Sequence, residues 1–377
     1  MGFRALFRPL LPALLLASAP NLSAQLSSDS ILAARRYSAT HNGMALIVKE
    51  RGQLRFEDYY NGYAKGTPVH IYSGTKSFFG VLAAIAQEEG LLSLDERVAE
   101  TIPEWRNDPR KQSITIRELL NFSSGLETGF EKIYGRSSAD KIALAVSLDA
   151  TRDRGESFVY GPGSLNVFCE VLRRKLGSKR IGYEGYLRKK LIQPLGIDIA
   201  RWREDDQGNV VPSAGIHTTA QDWMNFGEMI NAGGTWQGRR LVKPESLAQC
   251  FRGTGINPSF GLGFWLNGYA SRPDAREADP EEWLDREPMP EDWSGTCLSK
   301  NAPPDLVVSL GSTFQRLYLV PSMDLVVVHH GKRGHAFRDA EFLRILFDSA
   351  EVPTPTGTTA KPRTGLPKLF NAFRKDR

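Results

Sequence analysis

The stretch Tyr72-Ser73-Gly74-Thr75-Lys76-Ser77-Phe78-Phe79 opens a run in which Phe78, Phe79, Leu82, Ile85 and Ala86 recur at helical spacing until Gly90 stops it. The pattern predicts a helix over Ser77 to Glu89 that follows Ser73 directly. Residues three apart on a helix share a face, so the Lys76 amine can reach the Ser73 hydroxyl. A serine alcohol is a poor nucleophile unless a base accepts its proton, and a partly desolvated lysine can act as one. The helix N-terminus also offers free N–H groups and its positive dipole end to developing negative charge. The blander reading is a Ser cap followed by a solvated Lys, because two common residues three apart recur by chance in most chains of this length.

Before this helix, Gly43-Met-Ala-Leu-Ile-Val-Lys and Gln53-Leu-Arg-Phe-Glu-Asp-Tyr-Tyr are β-rich runs parted by Glu50-Arg-Gly, which predicts an antiparallel hairpin. After it, Thr115 and Glu118 form a Thr-x-x-Glu capping box. Helical periodicity recurs at Ala139 to Leu148, Leu165 to Leu176 and Tyr183 to Leu191, so a mostly helical subdomain is expected over about 101–213. A capped helix begins at Thr219. Phe260 to Leu266, Leu306 to Leu310, Gln315 to Val320 and Leu325 to His330 read as strands, and Asp339 to Asp348 as a closing amphipathic helix. Strands, helices, then strands again imply one α/β domain over 25–352 whose sheet is completed by both ends of the chain. Asp274 to Asp292 holds nine acidic residues against Arg276 and Arg286 and reads as a long surface loop.

Three segments set the Ser-x-x-Lys pair in context: Tyr72-Ser-Gly-Thr-Lys-Ser-Phe, Ala84-Ile-Ala-Gln-Glu-Glu-Gly-Leu-Leu-Ser-Leu-Asp-Glu, and Ile114-Thr-Ile-Arg-Glu-Leu-Leu-Asn-Phe-Ser-Ser-Gly-Leu. Together they closely resemble the serine β-lactamase and penicillin-binding-protein superfamily, nearest its class C β-lactamase-like esterases, D-amino-acid peptidases and 6-aminohexanoate-oligomer hydrolases. The likeness runs from about Asn42 to Ser349. It implies an antiparallel sheet flanked by helices, a helical subdomain inserted, and a cleft between them.

By that resemblance Ser73 attacks the carbonyl, and Tyr160 in Phe158-Val-Tyr-Gly-Pro162 exchanges protons with the nucleophile and leaving group. Pro162 stands where the family's Tyr-x-Asn motif has its amide. A cation at Lys76 is expected to favour the phenolate of Tyr160, suiting a general base; the alternative is that Tyr160 only packs in a Gly/Pro turn. Gly311-Ser312-Thr-Phe314-Gln resembles the Gly-x-x-Gly-Gln of the esterase-like branch, with Phe314 for the second glycine. The likeness pairs the Ser312 N–H with that of Ser73 as an oxyanion hole, and it brings Gly311 and His217 toward the pocket, His217 with a structural role as an equal alternative. The strand lysine of β-lactamases is absent, which favours esters and amides over carboxylate-bearing β-lactams. The expected reaction is cleavage of a small-molecule carboxylic ester or amide through a Ser73 acyl-enzyme, with no cofactor. The alternatives are a D-alanyl peptidase or β-lactamase, and a catalytically silent binding protein of the same fold.

Composition sets the outer limits. The 377 residues, 41% hydrophobic and 24% charged, suit a globular domain with a large core. The net charge of +5 equals that of the tail 353–377, which holds six basic residues and one acidic one. The tail reads as a disordered extension, with weak contact to an anionic membrane surface as the alternative. Nucleic acid is not indicated. Arg4 and Arg8, the apolar stretch Leu10 to Ala19 and Leu22-Ser-Ala24 form the order of a signal peptide over 1–24, so a secreted or periplasmic protein of the bacterial cell envelope is expected. Cys169, Cys250 and Cys297 allow one disulfide without saying which, and Cys169 suits a buried thiol. His329, His330 and His335 have no acidic or Cys partner at ligand spacing, and neighbouring strand residues face opposite ways, so packing histidines and no metal are expected.

Overall fold

Gly43–Glu50 (β1) and Gln53–Tyr59 (β2) are joined by Arg51 and Gly52, both left-handed at φ 53° and 71°. That two-residue reversal suits the twist of an antiparallel pair. Val48 lies opposite Phe56 and Glu50 opposite Gln53. These relationships come from a computed structural model, which describes residues 25–135, 140–177, 181–284, 293–334 and 337–347. The expected signal segment, the basic tail and His335 lie outside the described residues.

Four further strands complete the main sheet: Trp265–Leu266 (β3), Val307–Gly311 (β4), Gln315–Val320 (β5) and Leu325–Gly331 (β6). The order is β2-β1-β6-β5-β4-β3, and every neighbouring pair is antiparallel. The N-terminal hairpin therefore closes on the last of the described strands, as the sequence predicts. Around the sheet stand Ser28–Thr40 (α1), Thr75–Glu88 (α2), Ala220–Asn231 (α4), Pro280–Leu284 (α5) and Asp339–Phe347 (α6), while Gly163–Leu176 (α3) packs among the helices of the inserted region.

Alternation along the strands sorts the core into two layers. Ile47, Leu317, Leu319, Val326 and Val328 pack with Phe78 of α2 and Phe226 of α4. Leu46, Val48, Tyr318, Val320 and Val327 pack on the other face with Ile31 and Ala34 of α1 and Phe342 and Ile345 of α6. A sheet covered on both faces explains the unbroken apolar run Leu325-Val-Val-Val. From Val98 to Ile192 every described element is helical. The Thr115–Glu118 box closes reciprocally, Glu118 N–H donating to Thr115 Oγ1 at 3.3 Å and Thr115 N–H to Glu118 Oε2 at 2.9 Å.

Two segments differ from the sequence reading. Of Phe260 to Leu266 only β3 is a strand, because Leu262 and Gly263 lie against the backbone of α2. A Cβ on Gly80 would sit 1.9 Å from the Leu262 carbonyl oxygen, and Gly263 is left-handed at φ 80°. The acidic stretch is not simply a surface loop. Arg276–Glu277 pairs in parallel with Thr296–Cys297, α5 follows, and Trp283 packs on Trp293 with ring centres 4.8 Å apart. Residues 285–292 lie outside the described residues.

Candidate active site

Ser73 belongs to a short 3-10 turn, Tyr72–Gly74, that feeds directly into α2. Tyr72 takes a left-handed conformation, φ 47°, which bends the chain from the strand Val69–His70 into the helix. Gly74 has no alternative: a Cβ there would meet Trp223 Cζ2 at 2.6 Å. The turn holds both Ser73 and Lys76 buried, at 4% and 3% exposure.

Lys76 Nζ donates to Ser73 Oγ at 2.9 Å and to the Ser213 carbonyl oxygen at 2.7 Å. It also lies 4.8 Å from the centre of the Tyr160 ring. Burial alone pulls the lysine down from 10.5 to about 7, so near neutrality much of it is an uncharged amine. Tyr160 follows Val159 into the turn before α3, packed among Phe122, Phe158, Phe260 and Trp265, and the Ser73 side chain acts on its phenol to favour ionisation. Here the expected phenolate is overturned. Burial raises the Tyr160 pKa, outweighing the opposing effects of Ser73 and Arg316. Near neutrality the site thus holds a phenol that keeps its proton and a lysine that readily gives one up.

Sequence reading missed Ser213 and Tyr134. Tyr134 Oη donates to Ser213 Oγ at 2.8 Å, fixing the residue whose carbonyl receives Lys76. That carbonyl supplies a second partner for the lysine beside Ser73 Oγ. Nothing local marks either residue.

Strand β4 brings the second half of the site. Ser309 Oγ donates to the Gly74 carbonyl at 3.1 Å, and a Cβ on Gly311 would lie 1.9 Å from the Ile71 carbonyl oxygen. Gly311 therefore permits backbone-to-backbone contact, so Ser312 follows immediately where β4 touches the Ser73 turn. Thr313 and Phe314 are left-handed, φ 61° and 63°, each costing about 1–3 kcal/mol for residues other than glycine. Their N–H groups donate to Glu281 Oε1 at 2.7 Å and Oε2 at 3.3 Å. Among the described residues no hydrogen-bond acceptor stands on the Ser312 N–H.

His217 lies in the small sheet formed by Val69–His70, Arg201–Trp202 and Ile216–Thr218. Its ring stacks on His70, centres 4.2 Å apart, and His70 stacks on Tyr72 at 3.9 Å. Burial lowers both imidazoles, His70 to about 3. Through this stack His217 reaches the Ser73 turn. His329 and His330 do face opposite sides of the sheet: His329 stacks on Phe337, and His330 on Trp223. All three cysteines are buried and unpaired.

The arrangement invites comparison with known proteins. The monacolin J acid methylbutanoyltransferase of Aspergillus terreus is 29% identical over 156 residues, which cover 35% of this chain and 37% of that protein. This chain therefore matches little more than a third of that relative's length. Among solved structures, EstCE1, a hydrolase with promiscuous acyltransferase activity, has a TM-score of 0.62 at 14% identity, covering 85% of this chain and 97% of its own. The class C β-lactamase from Rhodobacter sphaeroides has a TM-score of 0.60 at 18% identity, covering 85% and 98%. Both share the antiparallel sheet flanked by helices. The family description that matches residues 29–345 is that of beta-lactamase, and the chain belongs to the beta-lactamase family.

Proposed function

We propose that this protein is a serine hydrolase that cleaves a carboxylic ester or amide through an acyl-enzyme on Ser73. The observation that carries the reading is the contact between Ser73 Oγ and a buried Lys76 whose pKa is pulled down to about 7. The Ser73 proton passes to the lysine amine as Oγ bonds to the carbonyl carbon. The tetrahedral oxyanion is held by the N–H groups of Ser73 and Ser312. Collapse breaks the bond to the leaving group, which takes its proton through Tyr160. Water then attacks the acyl carbon and gives a proton to the same groups; the bond to Ser73 Oγ breaks as Oγ takes that proton back, and the carboxylic acid leaves.

Among the substrates this fold serves, uncharged esters and amides are favoured, because no lysine stands at the strand position beside Ser312 to meet a β-lactam carboxylate. An alcohol in place of water at the second step would make the protein an acyltransferase, a variant supported by the name of the curated relative and by EstCE1. We further propose, on the charge and apolar order of residues 1–24, that the protein acts outside the cytoplasm.

The test is the initial rate of the mature protein on a short-chain aryl ester, a chromogenic cephalosporin and a D-Ala-D-Ala peptide, each beside Ser73→Ala. Ester turnover that vanishes in the mutant supports the proposal. Turnover of the cephalosporin or peptide alone would move the function to cell-wall-like substrates. Wild-type rates no higher than the mutant's on all three would sink it.

A further inference from the structure

The turn Ser312–Phe314 is held in place from outside the catalytic elements. Arg316, wholly buried on β5, donates through Nη1 to the carbonyls of Gly311 at 2.6 Å and Gln315 at 3.1 Å, the two residues that bracket the turn. A guanidinium only donates, so it cannot receive the amides between them. Those amides, on Thr313 and Phe314, need an acceptor, and Glu281 on α5 supplies both of its oxygens. The same carboxylate receives Arg316 Nη2 at 3.0 Å, while Asp339 on α6 receives Arg316 Nε at 2.8 Å and Nη2 at 2.9 Å. The charged groups around Glu281 are thus Arg316 from β5, Asp339 from α6 and Asp279 from its own segment.

We propose that Glu281 is a positioning residue for the oxyanion side of the active site, an inference that rests on the Ser73 acyl-enzyme reading. By engaging the Thr313 and Phe314 amides it stabilises two left-handed residues in sequence. The orientation of the peptide ahead of them, and with it the Ser312 N–H, follows. Ser312 is left as the amide of this turn available to a substrate oxyanion. Glu281 on α5, 32 residues ahead of the Thr313 amide it engages, in this view straps the turn and sets the geometry of the oxyanion hole.

The experiment uses the mature wild type, S73A and E281Q. Each is titrated with a fluorophosphonate to count reactive sites, then assayed per titrated site on a short-chain aryl ester and for inhibition by an arylboronic acid, whose adduct with Ser73 mimics the tetrahedral anion. Glutamine keeps the size and one acceptor, so the expected loss in kcat is about tenfold, below the 10²- to 10³-fold that follows deletion of an oxyanion donor. KM should stay within about twofold, and boronate affinity should fall in step with kcat, as expected when only the transition state is affected. Should E281Q not fold, the same comparison is made in an F314G background, where glycine holds a positive φ without steric cost. A rate per site and boronate affinity equal to wild type would overturn the proposal. So would a lower titrated fraction with an unchanged rate per site, which marks a merely structural role. A wild type that is neither labelled nor faster than S73A would bring down the hydrolase reading itself, an outcome visible before E281Q is compared.

Discussion

Lys76 Nζ donates to Ser73 Oγ across 2.9 Å from a side chain only 3% exposed. The burial that shortens its reach to water also pulls its pKa to about 7. If the neutral amine is the base, activity is absent when the lysine is charged and rises as it loses its proton. The expected profile of kcat/KM on an aryl ester climbs through an acid limb centred near pH 7. A limb centred below about 5 would assign the base to another group.

The same burial should weaken the fold. Because the folded pKa lies below the unfolded value of 10.5, the folded state binds fewer protons. The penalty is absent above the unfolded pKa, grows as pH falls, and is complete below about 7. On the order of 4 kcal/mol is at stake, less whatever the two hydrogen bonds return. Lys76→Met is therefore expected to be inactive yet to melt about 5 °C higher at pH 7, with the gain shrinking toward pH 10. Equal melting temperatures at both pH values would refute the buried-amine assignment.

Tyr160→Phe removes one oxygen and keeps the packed ring. Its partners Phe122, Phe158, Phe260 and Trp265 remain in contact, so stability should change little. A proton-transfer role contributes about 10²- to 10⁴-fold, and kcat is expected to fall by that amount. A kcat within threefold of wild type would leave Tyr160 as a packing residue only.

Gly311→Ala tests the contact between β4 and the Ser73 turn. The added methyl would lie 1.9 Å from a backbone oxygen, that of Ile71, which cannot rotate away. Overpacking of this kind costs about 1–3 kcal/mol. Because the displaced strand carries Ser312, the rate should also fall, by roughly 10²-fold or more. Denaturant melts and ester rates on the variant report the two effects separately. Loss of stability without loss of rate per active site would detach Ser312 from the oxyanion hole.

Local order was legible in the sequence wherever a short stretch repeats with the period of its element. The hairpin of β1 and β2, the helix after Ser73, the capping box at Thr115 and strands β5 and β6 follow from side-chain spacing alone, because each element buries one face or both. The Ser73–Lys76 contact was legible for the same reason, being three residues long. What lies across long loops was not. The Ser213 carbonyl that anchors Lys76 is 137 residues away from it, and Glu281 is 32 residues from the Thr313 amide it receives. Arg316 lies in an otherwise apolar strand, and only packing could select Asp339 and Glu281 as its partners. Protonation belongs wholly to the tertiary structure. The residue pattern suggests that a cation near Tyr160 favours the phenolate, but desolvation keeps the phenol protonated and makes the lysine the group that titrates near neutrality. Periodicity records which side of an element is dry, whereas a pKa depends on everything packed around the atom that ionises.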